Sequence, residues 1–228
     1  MNDKGVGVRR MFDAIAGRYD LMNRLMTMGQ DQKWRRFVVE RAGEPGDGVT
    51  LDLATGTGDI AALSRRVHPH CRVIGGDFSL NMLRQAGRRF SETDIGWQAV
   101  DANRLPYADG CFESVTFGYL LRNVENVDGV LREVNRVLKR GGRVVCLDTT
   151  PPERNLLYPF IRLYLRLGIP LLGRCIAKDK AAYAYLSGST MGFYSAEELA
   201  AAFGRAGFNA VGYQKFMMGT IAVHWGRK

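Results

Sequence analysis

At 228 residues, 46% hydrophobic and 24% charged, the chain has the size and composition of one globular domain with room for an insertion. No stretch approaches the roughly 20 uninterrupted apolar residues of a membrane-spanning helix: the most apolar region, Leu156 to Leu172, is broken by Pro159, Arg162, Arg166 and Pro170. The first ten residues lack the apolar run of a secretory leader, so a cytoplasmic location is expected. A net charge of +9 would suit nucleic acid, anionic lipid or anionic small molecules, but the cations are scattered in pairs such as Arg35-Arg36 and Arg88-Arg89, with no dense nucleic-acid arm.

In chain order, residues 8–43 read as helices, with Trp34, Phe37, Val38 and Arg41 on one face and Asp31 as a candidate cap. Strands are expected near Val49–Ala54, Arg72–Asp77, Ile95–Val100, Phe112–Gly118 and Gly142–Asp148. The clearest helix is Asn126–Arg140, whose stripe of Val127, Val130, Leu131, Val134, Val137 and Leu138 stops at Gly141-Gly142. Residues 151–190 form an insertion after the fifth strand. Ser195-Ala-Glu-Glu198 has the capping-box pattern of a helix that ends before Gly207, and strands follow near Phe208–Gln214 and Thr220–Gly226. The alternation predicts one α/β domain over 1–228: a mostly parallel seven-stranded sheet with helices on both faces and an N-terminal helical cap. Ligands in such sheets bind beyond the carboxyl ends of the strands. The cysteines (Cys71, Cys111, Cys146, Cys175) form no Cys-x-x-Cys pair, read as buried or neutral thiols, and leave no metal site expected.

Gly56-Thr57-Gly58 follows the first strand and opens a helix, where glycine permits a tight turn and exposed N–H groups favour anionic ligand groups. Asp77 ends the second strand 19 residues after Gly58, the place for a carboxylate that accepts ribose hydroxyls. Asp101-Ala102 ends the third, where an adenine could be met. Three successive strand ends thus outline a nucleotide site. Gly56-x-Gly58-x-x-Ala61 also satisfies the relaxed dinucleotide fingerprint, so an NAD-dependent oxidoreductase is the rival reading. Asp52, four residues before Gly56, favours the methyltransferase form of this loop, an acid-x-Gly/Ala-x-Gly-x-Gly pattern.

Met11–Asp20, Asn23, Gly29, Trp34-Arg-Arg36, Leu51–Asp59, Gly76-Asp-Phe-Ser79, Asn81-Met-Leu83, Asp101-Ala102, Leu105-Pro106, Leu121-Arg-Asn-Val124 and Arg136-Val-Leu-Lys139 together resemble the ubiquinone/menaquinone biosynthesis C-methyltransferases over nearly the whole chain. The resemblance implies a Rossmann-like class I methyltransferase using S-adenosylmethionine to methylate a ring carbon of a polyprenylated quinol, demethylmenaquinol or a ubiquinone precursor. Carried over by position, Thr57, Asp77, Asp101, Ala102 and Gly118 match positions that contact the cofactor; Asp52, Gly56, Gly58 and Phe78 complete the expected cofactor set. The sequence departs from the family's usual pattern at Tyr119-Leu120, at Asp148-Thr149-Thr150 (usually Glu-Phe-Ser) and at Arg140 (usually Pro).

Methylating a quinol carbon needs an electron-rich ring, best supplied as the phenolate. Arg122 cannot act as a base, because guanidinium keeps its proton; it is assigned phenolate stabilisation and orientation of a proton-accepting water, with Asn123 holding the geometry. Pairing of Arg122 with a carboxylate and capping of the next helix by Asn123 is the bland reading, and Asp148 is an alternative base. Tyr185 and Ser189 are candidate substrate-lining residues, Tyr19 a candidate cover over the cofactor, and His224 a structural residue. The apolar insertion carries Arg154, Arg162, Arg166 and Arg174, the composition of a helix that docks on an anionic membrane; a lid or a homodimer contact fits it equally. The expected partners are therefore a prenylated quinol and the inner face of the cell membrane, with no nucleic acid. Other readings are methylation of another small molecule, nucleic-acid methylation, which lacks an Asn/Asp-Pro-Pro-Tyr/Phe signature here, and a cofactor-binding regulator without turnover.

Overall fold

The computed structural model describes residues 7, 11, 13, 19–153, 158–163, 168, 185 and 188–228. Its seven strands form one sheet in the order β3-β2-β1-β4-β5-β7-β6. β1 (Val49–Leu53), β2 (Arg72–Asp77), β3 (Gly96–Ala99), β4 (Phe112–Gly118) and β5 (Leu138–Thr149) pair in parallel. β7 (Ile221–Arg227) runs antiparallel to both β5 and β6 (Asn209–Phe216). The described helices are α1 (Tyr19–Met26), α2 (Asp31–Ala42), α3 (Asp59–Val67), α4 (Leu80–Arg89), α5 (Val127–Val137), α6 (Tyr158–Leu163) and α7 (Ala196–Arg205).

The sheet is covered on both faces, so its central strands are apolar at consecutive positions. In β5, Val144 and Cys146 enter the core built with α5 and α7, where Leu131, Val134, Leu199 and Phe203 are buried. Val145 and Leu147 enter the opposite core with Trp34 and Val38 of α2 and Ile60 of α3. That alternation is the period-two geometry of a strand. β2 and β4 keep the bounds expected from sequence, and α7 starts with the expected capping box, Ser195 and Glu198 exchanging side-chain and backbone hydrogen bonds.

Two expectations are corrected. The helix expected over Asn126–Arg140 ends three residues early: α5 stops at Val137, and Leu138 turns extended and pairs with Phe112. Leu138 is still fully buried in the same core, which is why its side chain continues the helical pattern after the backbone has left it. The Lys228 ammonium donates to the carbonyls of Arg136 and Leu138, satisfying groups exposed as the helix ends. Asp31 is the first residue of α2, not its cap; it accepts from the Thr27 hydroxyl and pairs with Arg35 one turn on. The shared face of α2 is as expected, with Trp34 and Val38 buried and Arg41 lying 4.0 Å over the Trp225 ring.

Cys71 and Cys146 are buried, and burial pushes both thiols upward. Cys175 lies outside the described residues. His224 is buried in β7, its Nε2 2.8 Å from the Ala196 carbonyl oxygen. Burial holds its pKa down to about 4, outweighing the hydrogen bond to Ala196. A histidine with a depressed folded pKa contributes stability above its unfolded value near 6.5, and that contribution is lost as pH falls through about 4. The melting-temperature advantage of the unaltered protein over His224→Phe should therefore shrink between pH 6.5 and 4, as followed by thermal unfolding.

Candidate active site

The strand order reverses between β1 and β4, and the site is built where those strands end. Leaving β1, the chain takes left-handed conformations at Ala54 (φ 53°), Gly56 (φ 57°) and Gly58 (φ 90°) before α3 begins at Asp59. Ala54 lacks glycine's freedom, and such outliers persist where neighbours over-determine the backbone. The neighbour here is Asp52. Its buried carboxylate accepts from the Thr55 hydroxyl (2.6 Å), the Thr116 hydroxyl (2.8 Å) and the Ala61 N–H (3.1 Å). Burial pushes its pKa up to about 7 against the pull of those donors and of Arg35. Asp52 thus stands behind the loop and holds its shape.

Asp77 ends β2, accepting from the N–H groups of Gly56 (2.9 Å) and Ser79 (2.8 Å). Its pKa is pushed up to about 6 by burial, opposed by backbone hydrogen bonds from Ser79, Gly56 and Phe78. Ser79 caps α4 by accepting from the Met82 N–H, and its hydroxyl donates to Asp13 from the N-terminal segment. Asp101 follows β3 and accepts from both the backbone N–H (2.9 Å) and side-chain amide (2.7 Å) of Asn103; Ala102 turns into the core beside Leu105. Gly118 ends β4, half-buried, and Phe78 is half-buried beyond Asp77. Thr57 is buried, and its carbonyl accepts from Arg89. The expected cofactor residues are therefore gathered on the carboxyl ends of four neighbouring strands.

These residues fit the nucleoside part of S-adenosylmethionine. A Cβ added at Gly56 would meet nothing within 4 Å, so the loop is open on that side. An ionised carboxylate offers about four acceptor sites, leaving Asp77 capacity beyond its backbone donors.

A second constellation follows β4. Tyr119 is left-handed (φ 59°), donates its N–H to the Leu147 carbonyl (2.7 Å), and leads into a 3-10 turn over Leu121–Asn123. Arg122 is buried: Nη1 donates to Asp148 Oδ1 (2.9 Å), its backbone N–H to Asp148 Oδ2 (3.3 Å), and its guanidinium lies 4.7 Å over the Tyr119 ring. The bland reading is right that Arg122 pairs with a carboxylate. It fails for Asn123, since α5 is capped by Asn126, which accepts from the Gly129 N–H. The Asn123 amide donates to the Tyr119 carbonyl (2.7 Å) and accepts from the Tyr185 hydroxyl (3.1 Å), so both ends are fixed.

Burial raises the Asp148 pKa, countered by the charge of Arg122. Arg122 Nε is buried with no hydrogen-bond partner among the described residues, a donor available to a ligand oxygen. Thr190 donates to Thr149 (3.2 Å), and Ser189 is half-buried beside it. The side chains of Tyr19, Arg154, Arg162, Arg166 and Arg174 lie outside the described residues. Two residues that sequence reasoning passed over, Arg89 and Trp97, support the loop from outside. Arg89 had been visible only as half of a basic pair.

Known proteins share this chain's sequence pattern and fold. The ubiE/COQ5 methyltransferase family matches residues 1–228. The ubiquinone/menaquinone biosynthesis C-methyltransferase UbiE of Desulfotalea psychrophila is 68% identical over 99% of this chain and 92% of its own. The demethylmenaquinone methyltransferase of Thermus thermophilus is 39% identical over 95% and 99% respectively. Among solved structures, a chain of the complex between the Haloferax volcanii Trm112 methyltransferase activator and a methyltransferase superimposes with a TM-score of 0.69 at 18% identity, covering 95% of this chain and 96% of that one. Haemonchus contortus phosphoethanolamine N-methyltransferase 2, in complex with S-adenosyl-L-methionine, gives 0.64 at 15% identity over 86% and 52%. These structures share the fold; sequence and family together replace the oxidoreductase reading, and the chain belongs to the ubiE/COQ5 methyltransferase family.

Proposed function

We propose that this chain, an S-adenosylmethionine-dependent C-methyltransferase of quinone biosynthesis, converts demethylmenaquinol to menaquinol, with Arg122 and Asn123 acting on the quinol. The observation that carries the assignment of residues is the buried Arg122 Nε without a partner beside an Asn123 amide fixed at both ends. S-adenosylmethionine supplies an electrophilic methyl group. Asp77 and the open side of the loop at Gly56 hold the nucleoside, while Asp52 keeps the loop in shape.

Arg122 donates to the quinol oxygen as it becomes phenolate, strengthening as negative charge develops. A water oriented by Arg122 would receive the hydroxyl proton; transfer of the methyl to the ring carbon would break its bond to sulfur and release S-adenosylhomocysteine, and that carbon's hydrogen would leave as a proton to water, restoring the aromatic ring. Asp148 anchors the guanidinium by holding Nη1 and the backbone N–H together. Asn123 and Tyr185 set the position of the ring, in keeping with a reaction whose rate depends on alignment.

A prenylated quinol resides in a bilayer, so the site must meet a membrane surface. No helix among the described residues is long and apolar enough to cross one. α1 is bracketed by the Asp13–Ser79 contact and by Arg35, which joins Asp31 to Asp59, so it lies at the loop end of the sheet. It exposes Leu21 and Leu25, with Met28 in the turn that follows, Leu80 at the start of α4 and Met218 in the turn before β7. Of the basic insertion proposed to dock on anionic lipid, most lies outside the described residues.

Arg122→Gln should lower turnover of demethylmenaquinol by about 10²–10³-fold, with S-adenosylhomocysteine affinity within a few-fold of normal by calorimetry; unchanged turnover would refute the assignment. Asp77→Asn should weaken S-adenosylhomocysteine binding by about 10–100-fold, the loss of hydrogen bonds to a charged group. Protonating Asp77 has a similar effect, so normal affinity should fall as pH drops through about 6, and the Asn variant should lack that component. On co-sedimentation, vesicles containing anionic lipid should retain more protein than neutral ones, and Leu25→Glu/Met28→Glu should reduce retention.

A further inference from the structure

The cofactor loop is gripped at Gly58, two residues from its open position at Gly56. Trp97 of the edge strand β3 pairs in register with Gly75 of β2, and its indole fills a slot whose walls are glycine. A Cβ added at Gly75 would lie 2.5 Å from Trp97 Cζ3, one at Gly58 2.6 Å from Cη2, and one at Gly87 of α4 3.6 Å from Cδ1. The far edge of the ring therefore bears on Gly58, the left-handed residue (φ 90°) from which α3 springs. Phe90 stacks on the indole with centroids 6.5 Å apart, and the Arg89 guanidinium lies 5.0 Å over Phe90.

The same Arg89 reaches the loop directly. Nη1 donates to the Thr57 carbonyl (3.1 Å) and Nη2 to Asp59 Oδ1 (2.9 Å). Asp59 is also paired with Arg35 of α2. Residues 57, 58 and 59 are thus held by the end of α4 and by β3, while Thr55 and Gly56 are held by Asp52 and Asp77. Gly56 alone faces open space.

We propose that Trp97 and Arg89 are positioning residues for cofactor binding: a wedge and a clamp that set the height of Gly58 and the direction of the Thr57 carbonyl. They act through the loop, which they meet at residues 57 to 59. The wedge needs an aromatic ring, because only a flat side chain enters a slot lined by Gly58 and Gly75. The clamp needs a fork that bridges a carbonyl and a carboxylate, which guanidinium supplies and ammonium does not. A loop that is not held in its binding shape must be ordered by the cofactor and pairs with it less well, so losing either brace should weaken the cofactor without altering chemistry once it is bound.

The inference rests on the S-adenosylmethionine site and not on the identity of the quinol. Trp97→Leu, Trp97→Phe, Arg89→Gln and Arg89→Lys are compared in the full chain by calorimetry with S-adenosylhomocysteine. For Trp97→Leu and Arg89→Gln, the dissociation constant should rise about tenfold or more; Trp97→Phe should recover most of the affinity and Arg89→Lys little. With a short-chain demethylmenaquinol, KM for S-adenosylmethionine should rise in parallel, with kcat at saturating cofactor and KM for the quinol within threefold of normal. Should Trp97→Leu fail to fold, the Arg89 pair decides the matter. Folded Arg89→Gln that binds within twofold of normal overturns the proposal, whatever its melting temperature. Inactivity on the quinol with the expected binding losses would refute the substrate reading and leave the brace standing.

Discussion

The buried carboxylate of Asp52 is the constraint on which the cofactor side of the molecule depends. It sits in β1 opposite Thr116 of β4, and its three donors come from β4, from the turn at Thr55 and from the start of α3 at Ala61. Removing a carboxylate from water costs several kcal/mol unless attraction and hydrogen bonds offset it. Any path of the loop that withdrew Thr55 or Ala61 would leave that cost unmet. The left-handed Ala54 is tolerated for this reason, and the alternation of left-handed residues at 54, 56 and 58 follows from a turn tied at both ends.

The neighbouring strands repeat the device for a different end. Tyr119 leaves β4 in the left-handed region as Ala54 leaves β1, and Asp148 at the end of the neighbouring β5 takes donors from Arg122 in the turn after β4. The difference lies in what the carboxylate holds. Asp52 fastens backbone and neutral hydroxyls, whereas Asp148 fastens a cation. A buried ion pair is a weak source of stability, since apolar residues of similar volume often serve as well. Stability alone therefore does not account for this pair at the head of the sheet, where one guanidinium N–H has no partner among the described residues.

Much of this was legible in the sequence. Strands buried on both faces announce themselves as apolar runs, and Arg72–Asp77 and Phe112–Gly118 could be bounded to the residue because glycine and aspartate punctuate them. Asp77 and Gly118 could be placed because a strand end is a definite location in this topology. Less legible was anything decided by contact between distant segments. Leu138 kept the helical pattern because side-chain burial, not backbone, sets periodicity. Asp31 looked like a cap until Thr27 and Arg35 claimed its oxygens. Asp52 looked like a ligand group, since the pattern names the residue and not the side of the loop from which it acts. Trp97 bore no local signature; its importance is visible only once Gly58, Gly75 and Gly87, far apart in the chain, are brought around one ring.

Apart from Arg140 near the start of β5, the departures from the family's usual wording gather where β4 and β5 end. Tyr119 and Leu120 lead into the Arg122 turn, Asp148 anchors Arg122, and Thr149 meets Thr190. Tyr119 and Asp148 contact one guanidinium, on the β4–β5 side of the switch point, while Asp52, Gly56, Gly58 and Asp77 lie on the β1–β2 side. Tyr119 stacks on Arg122 and Asp148 pairs with it, so the two departures bear on the same cation from different sides. Changes at these two positions therefore act on the placement of the Arg122 guanidinium and leave the loop held by Asp52 and Asp77 as it is.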